Sequence, residues 1–345
     1  MVWLQFSPDT STIDAGTACA LHSSGLAFST QDRESGDFAG IKYWEFSSGE
    51  TGGLDVKSMN DPGSLKISPD GRHLLMCSTD EIEIVGLEPG RCYSQVYLEG
   101  MSSSSSAYWL DNSRIVYAHA CSYNANNQLA SSLNLWDLGS MSYKPIEIAT
   151  VQGTLSHPSV LDVNDNIIVT GDSVIRDAAL SATSLLQIKL WDVRTGASIR
   201  SLRVPHKVFP DPDPEEESWP VCCLDADNRI AFVHFHGQLH VFDIGTGLMI
   251  HTNDGVYKTI RRSFAVNRAG TAAVGRGGKN TEEEEGEEEG VVVWDLAQRQ
   301  HRLALDNPFG QNYKHCGMAT SPDLDTVAMI AKDPHGIVSA HIWSS

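Results

Sequence analysis

No two of the seven cysteines (Cys19, Cys77, Cys92, Cys121, Cys222, Cys223, Cys316) make a CxxC pair, and their number is odd. This argues against a disulfide framework and against a zinc knuckle. Most are expected to be buried thiols that pack as small apolar residues. Basic residues are scarce: 25 Lys and Arg stand against 44 Asp and Glu, for a formal net charge of −19. Such an excess repels phosphate backbones instead of binding them through counterion release, so nucleic acid is not expected as a direct ligand. No apolar run approaches the roughly 18 residues of a membrane-spanning helix. The opening MVWLQFSPDT has neither a basic n-region nor an apolar h-region. The expectation is a cytoplasmic or nuclear protein with no membrane partner.

Catalytic signatures are missing too. There is no GxSxG elbow, no HExxH, no Walker glycine loop, and no GxGxxG at a strand-to-helix junction. The stretch GRGGKN at 275–280 follows a strand pattern and leads to no helix whose N-terminus could hold a phosphate. Ser102–Ser106 has no base near it in sequence. In VHFHGQLH, His234, His236 and His240 suggest a metal cluster. A hairpin turning at Gly237-Gln238 would pair His236 with Leu239 and Phe235 with His240, turning His240 away from the other two. Zinc needs three or four converging ligands. No catalytic residue, cofactor or metal site is therefore expected.

What the sequence does have is a repeat. The apolar share of 41%, with 29 Gly and 14 Pro, suits a folded chain of many short elements. A short β-type run closing on an aromatic or apolar anchor recurs seven times: at Trp44, Val85, Trp136, Trp191, Phe242, Trp294 and Trp343, in steps of 41, 51, 55, 51, 52 and 49 residues. Two β-prone runs joined by a tight Asn/Asp/Gly turn lie upstream of each anchor, as in SLKISPDGRHLLMCST before EIEIVG, and another β-prone run lies downstream. Four strands per unit and seven units predict an all-β fold, a seven-bladed β-propeller of four-stranded antiparallel blades. It should form a single domain over 1–345, with blades of approximately 1–47, 48–88, 89–139, 140–195, 196–246, 247–298 and 299–345.

Through WDL at 136–138, WDV at 191–193, FDI at 242–244, WDL at 294–296 and the SPDG and SPD turns, nearly the whole chain resembles the WD40 family. The resemblance implies a scaffold that holds other proteins. The family's Gly-His pair before each second strand is absent, so its buried Asp-His-Ser/Thr-Trp network is expected to be missing from most blades. With a first strand at Val2–Phe6 and a last one ending at Trp343, no strand is left over to interlock the ends. The ring should close by packing alone, or else an N-terminal extension, such as an F-box-like module, precedes Met1.

With strands lettered a to d outward, the short turns are expected to join b to c. The long stretches at 205–218 and 307–313 would then join a to b, and those at 31–39, 121–131, 173–185 and 277–290 would join c to d, all on one face. Two are acidic: Asp211, Asp213, Glu215, Glu216 and Glu217 in one, Glu282, Glu283, Glu284, Glu285, Glu287, Glu288 and Glu289 in the other. Charge this dense resists compaction and would attract a basic protein partner, or simply keep the loops solvated. Trp191-Asp192-Val193-Arg194 matches the WDxR core of WD40 proteins that serve as substrate receptors of cullin–RING ubiquitin ligases. This implies a ligase linker as partner, although Ser184 or Leu185 stands where an acid usually precedes that core. As an ordinary strand end, Trp191 would pack between blades and Asp192 would cap the turn to Thr195-Gly196. The leading reading is a non-enzymatic protein–protein interaction scaffold. Its alternatives are the ligase adaptor and, from another class, a propeller enzyme or cofactor binder of lactonase or quinoprotein type.

Overall fold

The computed structural model describes residues 2–4, 13–32, 37–54, 56, 62–78, 81–87, 92–97, 107–123, 129–139, 146–152, 159–164, 166–171, 185–205, 221–225, 230–235, 238–253, 264–267, 272–278, 289–295, 300–305, 314–321, 324–332 and 338–344. Among the described residues the regular elements are all strands, and no helix is long and apolar enough to cross a membrane.

The chain opens with β1 (Val2–Leu4). The first sheet takes β2 (Ile13–His22), β3 (Gly25–Asp32), β4 (Phe38–Glu45) and β5 (Thr51–Leu54). The second takes β6 (Ser64–Ile67), β7 (His73–Cys77), β8 (Glu81–Gly86) and β9 (Cys92–Tyr97). The third has β10 (Ala107–Trp109), β11 (Arg114–Tyr123), β12 (Leu129–Asp137) and β13 (Ile146–Gln152). The fourth has β14 (Ser159–Asn164), β15 (Ile167–Gly171), β16 (Leu185–Asp192) and β17 (Ser198–Pro205). The fifth comprises β18 (Val221–Leu224), β19 (Ile230–Phe235), β20 (Gln238–Asp243) and β21 (Met249–Asn253). The sixth comprises β22 (Phe264–Val266), β23 (Ala272–Gly278), β24 (Glu289–Asp295) and β25 (Gln300–Leu305). The seventh joins β26 (Lys314–Thr320), β27 (Thr326–Lys332) and β28 (Val338–Ser344) to β1, with Val2 opposite Ile342, Trp3 opposite His341 and Leu4 opposite Ala340.

Two expectations are corrected by this topology. The chain's first strand is not the first strand of the first sheet; it is the fourth of the last, so a strand is available to tie the two ends together. The strand lettering moves by one in consequence. With strands a to d in sheet order and β1 as the last d, the short turns join a to b and the anchors fall in c. The stretches at 31–39, 121–131, 173–185 and 277–290 join b to c, while 205–218 and 307–313 join d to the next a. In an antiparallel meander the b–c and d–a connections leave from the same end of the strands, so within each sheet the long connections share one end. Each sheet extends one strand beyond its anchor, offset from blocks cut at the anchors.

The a–b turns form where the sequence supplies a short polar side chain to satisfy backbone N–H groups. Ser68 Oγ donates to Asp70 Oδ1 at 2.6 Å and accepts from the His73 N–H at 2.9 Å, while Gly71 takes φ +73°. In the seventh sheet Ser321 Oγ donates to Asp325 and accepts the Thr326 N–H at 3.0 Å. Asp111 Oδ1 accepts the N–H groups of Ser113 and Arg114, each at 2.8 Å.

The sheets group into two compact units, residues 1–98 with 263–345, and residues 99–262. In the second unit the fourth sheet packs on both faces. Ile168, Trp191 and Val193 meet Val116, Ala118 and Leu133 of the third sheet. Val169, Ile188, Leu190, Leu202 and Val204 meet Cys222, Leu224 and Phe242 of the fifth. Neighbours in sequence thus serve opposite faces, as the two-residue strand period requires. A one-residue slip would exchange both faces at once, and each fully buried Leu, Ile or Val is worth about 1.5–3 kcal/mol.

In the first unit Leu26, Phe28 and Trp44 of the first sheet pack on Ala328, Ile330, Ala340 and Ile342 of the seventh. The other face of the first sheet, with Ala27 and Ile41, meets Leu74, Met76 and Val85 of the second. Val327, Met329 and Trp343 of the seventh lie against Val293 of the sixth. The anchors Trp44, Val85, Trp191, Phe242 and Trp343 all face the sheet before their own, the seventh standing before the first.

Candidate interaction surface

Three of the c–d turns, those opening at Glu45, Asp192 and Asp243, are built from one recurring run: an acid, a Ser or Thr three residues on, then Gly. At Asp192, Oδ1 accepts the Arg194 N–H (2.9 Å), the Thr195 N–H (2.9 Å) and the Thr195 hydroxyl (3.0 Å). The Gly196 N–H donates to the Asp192 carbonyl at 2.9 Å with Gly196 at φ +67°, and the Asp192 N–H closes the turn on Ala197. Asp243 repeats this with Thr246 (N–H and hydroxyl, both 2.7 Å) and Gly247 at φ +74°. Glu45 does so with Ser48 (2.8 Å) and Gly49 at φ +71°. These donors hold both aspartates below the usual carboxylate range: first the Thr195 N–H and then its hydroxyl for Asp192, and first the Thr246 hydroxyl for Asp243.

Within the WDxR run the three residues divide their work. Trp191 is buried, and its Nε1–H donates to Thr170 Oγ1 at 2.9 Å, so the Trp to Thr link does form in the fourth sheet. Asp192 is engaged by its own turn. Arg194 projects: its side chain is 75% exposed, and a carboxylate oxygen of Asp192 lies 4.0 Å from its guanidinium.

Adjacent sheets of this unit interlock at the turns. A Cβ on Gly196 would meet the Ile148 carbonyl oxygen of β13 at 2.0 Å, and one on Gly247 would meet Arg200 Cδ of β17 at 3.0 Å. The Arg200 guanidinium donates to the Gly245 carbonyl. Each turn therefore rests on the outer strand of the preceding sheet, which brings three outer strands into one continuous surface.

That surface carries the exposed large apolar residues of the described chain: Ile146 (63%) opening β13, Ile199 (42%) in β17, and Leu248 (65%), Met249 (43%) and Ile250 (55%) at the start of β21. All follow directly on, or lie just beyond, a c–d connection. Large apolar groups left in water near the start of three successive outer strands mark a contact surface more than scattered single residues do; Ile199 and Ile250 share the bulge position opposite the anchor, and Ile146 lies opposite Leu135. In sequence these residues resemble other strand residues, and only their exposure in the folded chain distinguishes them.

A second regularity escaped the sequence reading. Two residues before the anchor stand Glu83, Asn134, His240 and His341, all buried. Asn134 Nδ2 donates to Ser132 Oγ at 2.8 Å, His240 Nδ1 lies 3.3 Å from Thr252 Oγ1, and the His341 ring stacks on Trp343 with centroids 4.4 Å apart. The signal is a polar residue at one fixed offset within otherwise apolar strands.

Of the acidic runs, Asp211, Asp213, Glu215–Glu217, Glu282–Glu285, Glu287 and Glu288 lie outside the described residues, and Glu289 is the first residue of β24, opposite Gly278, and not part of a loop. In the histidine hairpin the register is Val233 with His240, His234 with Leu239 and Phe235 with Gln238. Each partner lies two residues from the expected one, with Phe235 opposite Gln238 and not His240, and His234 and His240 stand at positions of opposite parity. Among the described residues no three His, Cys, Asp or Glu side chains converge on a metal position. Cys77 and Cys222 are buried thiols that form no disulfide, and burial pushes the Cys222 thiol well up. The sequence matches no family model and no curated protein.

Proposed function

We propose that the seven sheets are the blades of a WD40-like β-propeller and that the protein is a non-enzymatic scaffold that holds other proteins. Two features support the ring. The seventh sheet packs on the first within one unit, and the N-terminal strand completes the seventh. Each anchor in a packed pair also faces the preceding sheet, a relation that repeats around a radial array of equal blades. The observation that carries the scaffold reading is the apolar surface of Ile146, Ile199 and Leu248–Ile250 beside the exposed Arg194.

Affinity purification from cell extract tests it. Wild-type protein recovers stable protein partners, and the double variant Ile199→Ser, Leu248→Ser, altered only at exposed positions, loses them. A purified protein that retained no partner and turned over a small molecule would overturn the reading.

The projection of Arg194 favours a narrower version, a substrate receptor of a cullin–RING ligase. Arg194→Ala then abolishes association with the cullin linker. Unchanged association ends that version and leaves the scaffold standing.

A further inference from the structure

We infer that the outer-strand surface of the 99–262 unit receives an acidic segment of a partner protein that also carries apolar side chains. The inference rests on the scaffold reading and gives the partner its chemistry. The apolar half of the argument is the continuity of the surface. The Gly196 turn sits on β13 and the Gly247 turn on β17, so Ile146, Ile199 and Leu248 belong to one strip across three sheets. Packed sheets lie about 10 Å apart, so a partner would present apolar groups at about that spacing.

Charge supplies the sign of the partner. Between Leu185 and Pro205, the c–d pair of the fourth sheet carries Lys189, Arg194, Arg200 and Arg203 against one carboxylate, Asp192, in a chain whose net charge is −19. Arg194 and Arg203 are exposed; Lys189 and Arg200 are half-exposed. The other carboxylates on the neighbouring outer strands and turns are Asp137, Glu147 and Asp243; Asp137 accepts the Gly139 N–H and Asp243 is engaged by Thr246. An acidic segment is repelled by most of the chain and attracted here, which directs it to one strip and raises its association rate at low salt.

The test is fluorescence anisotropy on the full chain, using as probe a labelled peptide of repeating Glu-Glu-Leu triplets. Lys-Lys-Leu and Glu-Glu-Ser peptides serve as controls for charge and apolar content. The Glu-Glu-Leu peptide should bind. Its Kd should rise about tenfold both in Arg194→Glu, Arg203→Glu and in Ile199→Ser, Leu248→Ser, the size expected when a few contact residues dominate an interface. Arg72→Glu, at an exposed a–b turn position of the other unit, should leave it unchanged, and both controls should bind more weakly. The inference is overturned if the peptide does not bind, if neither double variant weakens it, or if Arg72→Glu weakens it equally. It is also overturned if sedimentation shows that Ile199→Ser, Leu248→Ser converts a dimer to a monomer, because a second copy would then cover the strip. Recovery of partners that depend on Ile199 and Leu248, together with no binding of the acidic peptide, removes this inference while the scaffold reading survives. Recovery of no partner at all removes that reading itself.

Discussion

The carbonyl oxygen of Ile148 occupies the space that a Cβ on Gly196 would need, 2.0 Å from where that carbon would be. Gly196 also holds φ +67°, so glycine is required there twice: for the left-handed backbone, and for the close approach of the fourth sheet's turn to the third sheet's outer strand. Gly196→Ala is expected to cost about 2–4 kcal/mol, combining backbone strain with displacement of an outer strand. Gly49, at φ +71° with nothing within 4 Å of its added Cβ, separates the two effects. Gly49→Ala should cost only about 1 kcal/mol. Urea denaturation of both variants measures the difference, and equal losses would mean that the inter-sheet contact contributes nothing.

The bond from the Trp191 indole to Thr170 is buried, and removing its acceptor leaves a buried N–H unpaired. Thr170→Val keeps the shape and should cost about 1–3 kcal/mol. In a Trp191→Phe background the same substitution should cost distinctly less, because no donor remains to be stranded. A double-mutant cycle by urea unfolding that showed strict additivity would refute the coupling.

Acid should weaken the c–d turns before it reaches the apolar faces. The carboxyl of Asp192 is more acidic in the fold than in the unfolded chain, owing first to the Thr195 N–H. Its stabilisation is therefore complete above the unfolded value of about 3.9 and fades as pH falls through the lower folded value. Asp192→Asn should lower the urea midpoint at neutral pH and converge on wild type in strong acid. A gap that persisted undiminished at low pH would show that the carboxylate charge is not what holds the turn.

His341 works in the opposite chemical sense over a different range. Burial against Trp343 lowers its imidazole below the ordinary value, so the fold keeps it neutral. As pH falls below the unfolded value of about 6.5 the unfolded chain gains a proton first, and stability declines until the folded group also protonates. His341→Phe should flatten the stability profile as pH falls below about 6.5. An unchanged slope would assign the loss to other groups.

Much of the strand plan was legible from residue types. Trp44, Trp191 and Trp343 mark third strands because an aromatic ring at a fixed parity is the largest apolar group available to fill the gap between stacked sheets. Ser68-Pro69-Asp70-Gly71 and Asp111 mark a–b turns because their side chains answer backbone donors only a few residues away. The lettering came out one strand off because periodicity fixes which face a residue serves, not which strand is the edge of its sheet. The contact strip was readable in part: Arg194 stood out through its motif, whereas Ile146, Ile199 and Leu248 look in sequence like any other strand residue.

By itself, then, the sequence determined the local elements, since alternation and turn chemistry act over a few residues. Only the tertiary structure decided that Val2–Leu4 pairs with Ala340–Ile342, that Gly196 meets Ile148, and that the apolar residues opening three outer strands stay in water. Those outcomes join positions dozens to hundreds of residues apart. They depend on which edges and faces remain uncovered once the sheets have stacked, and no local preference along the chain encodes that.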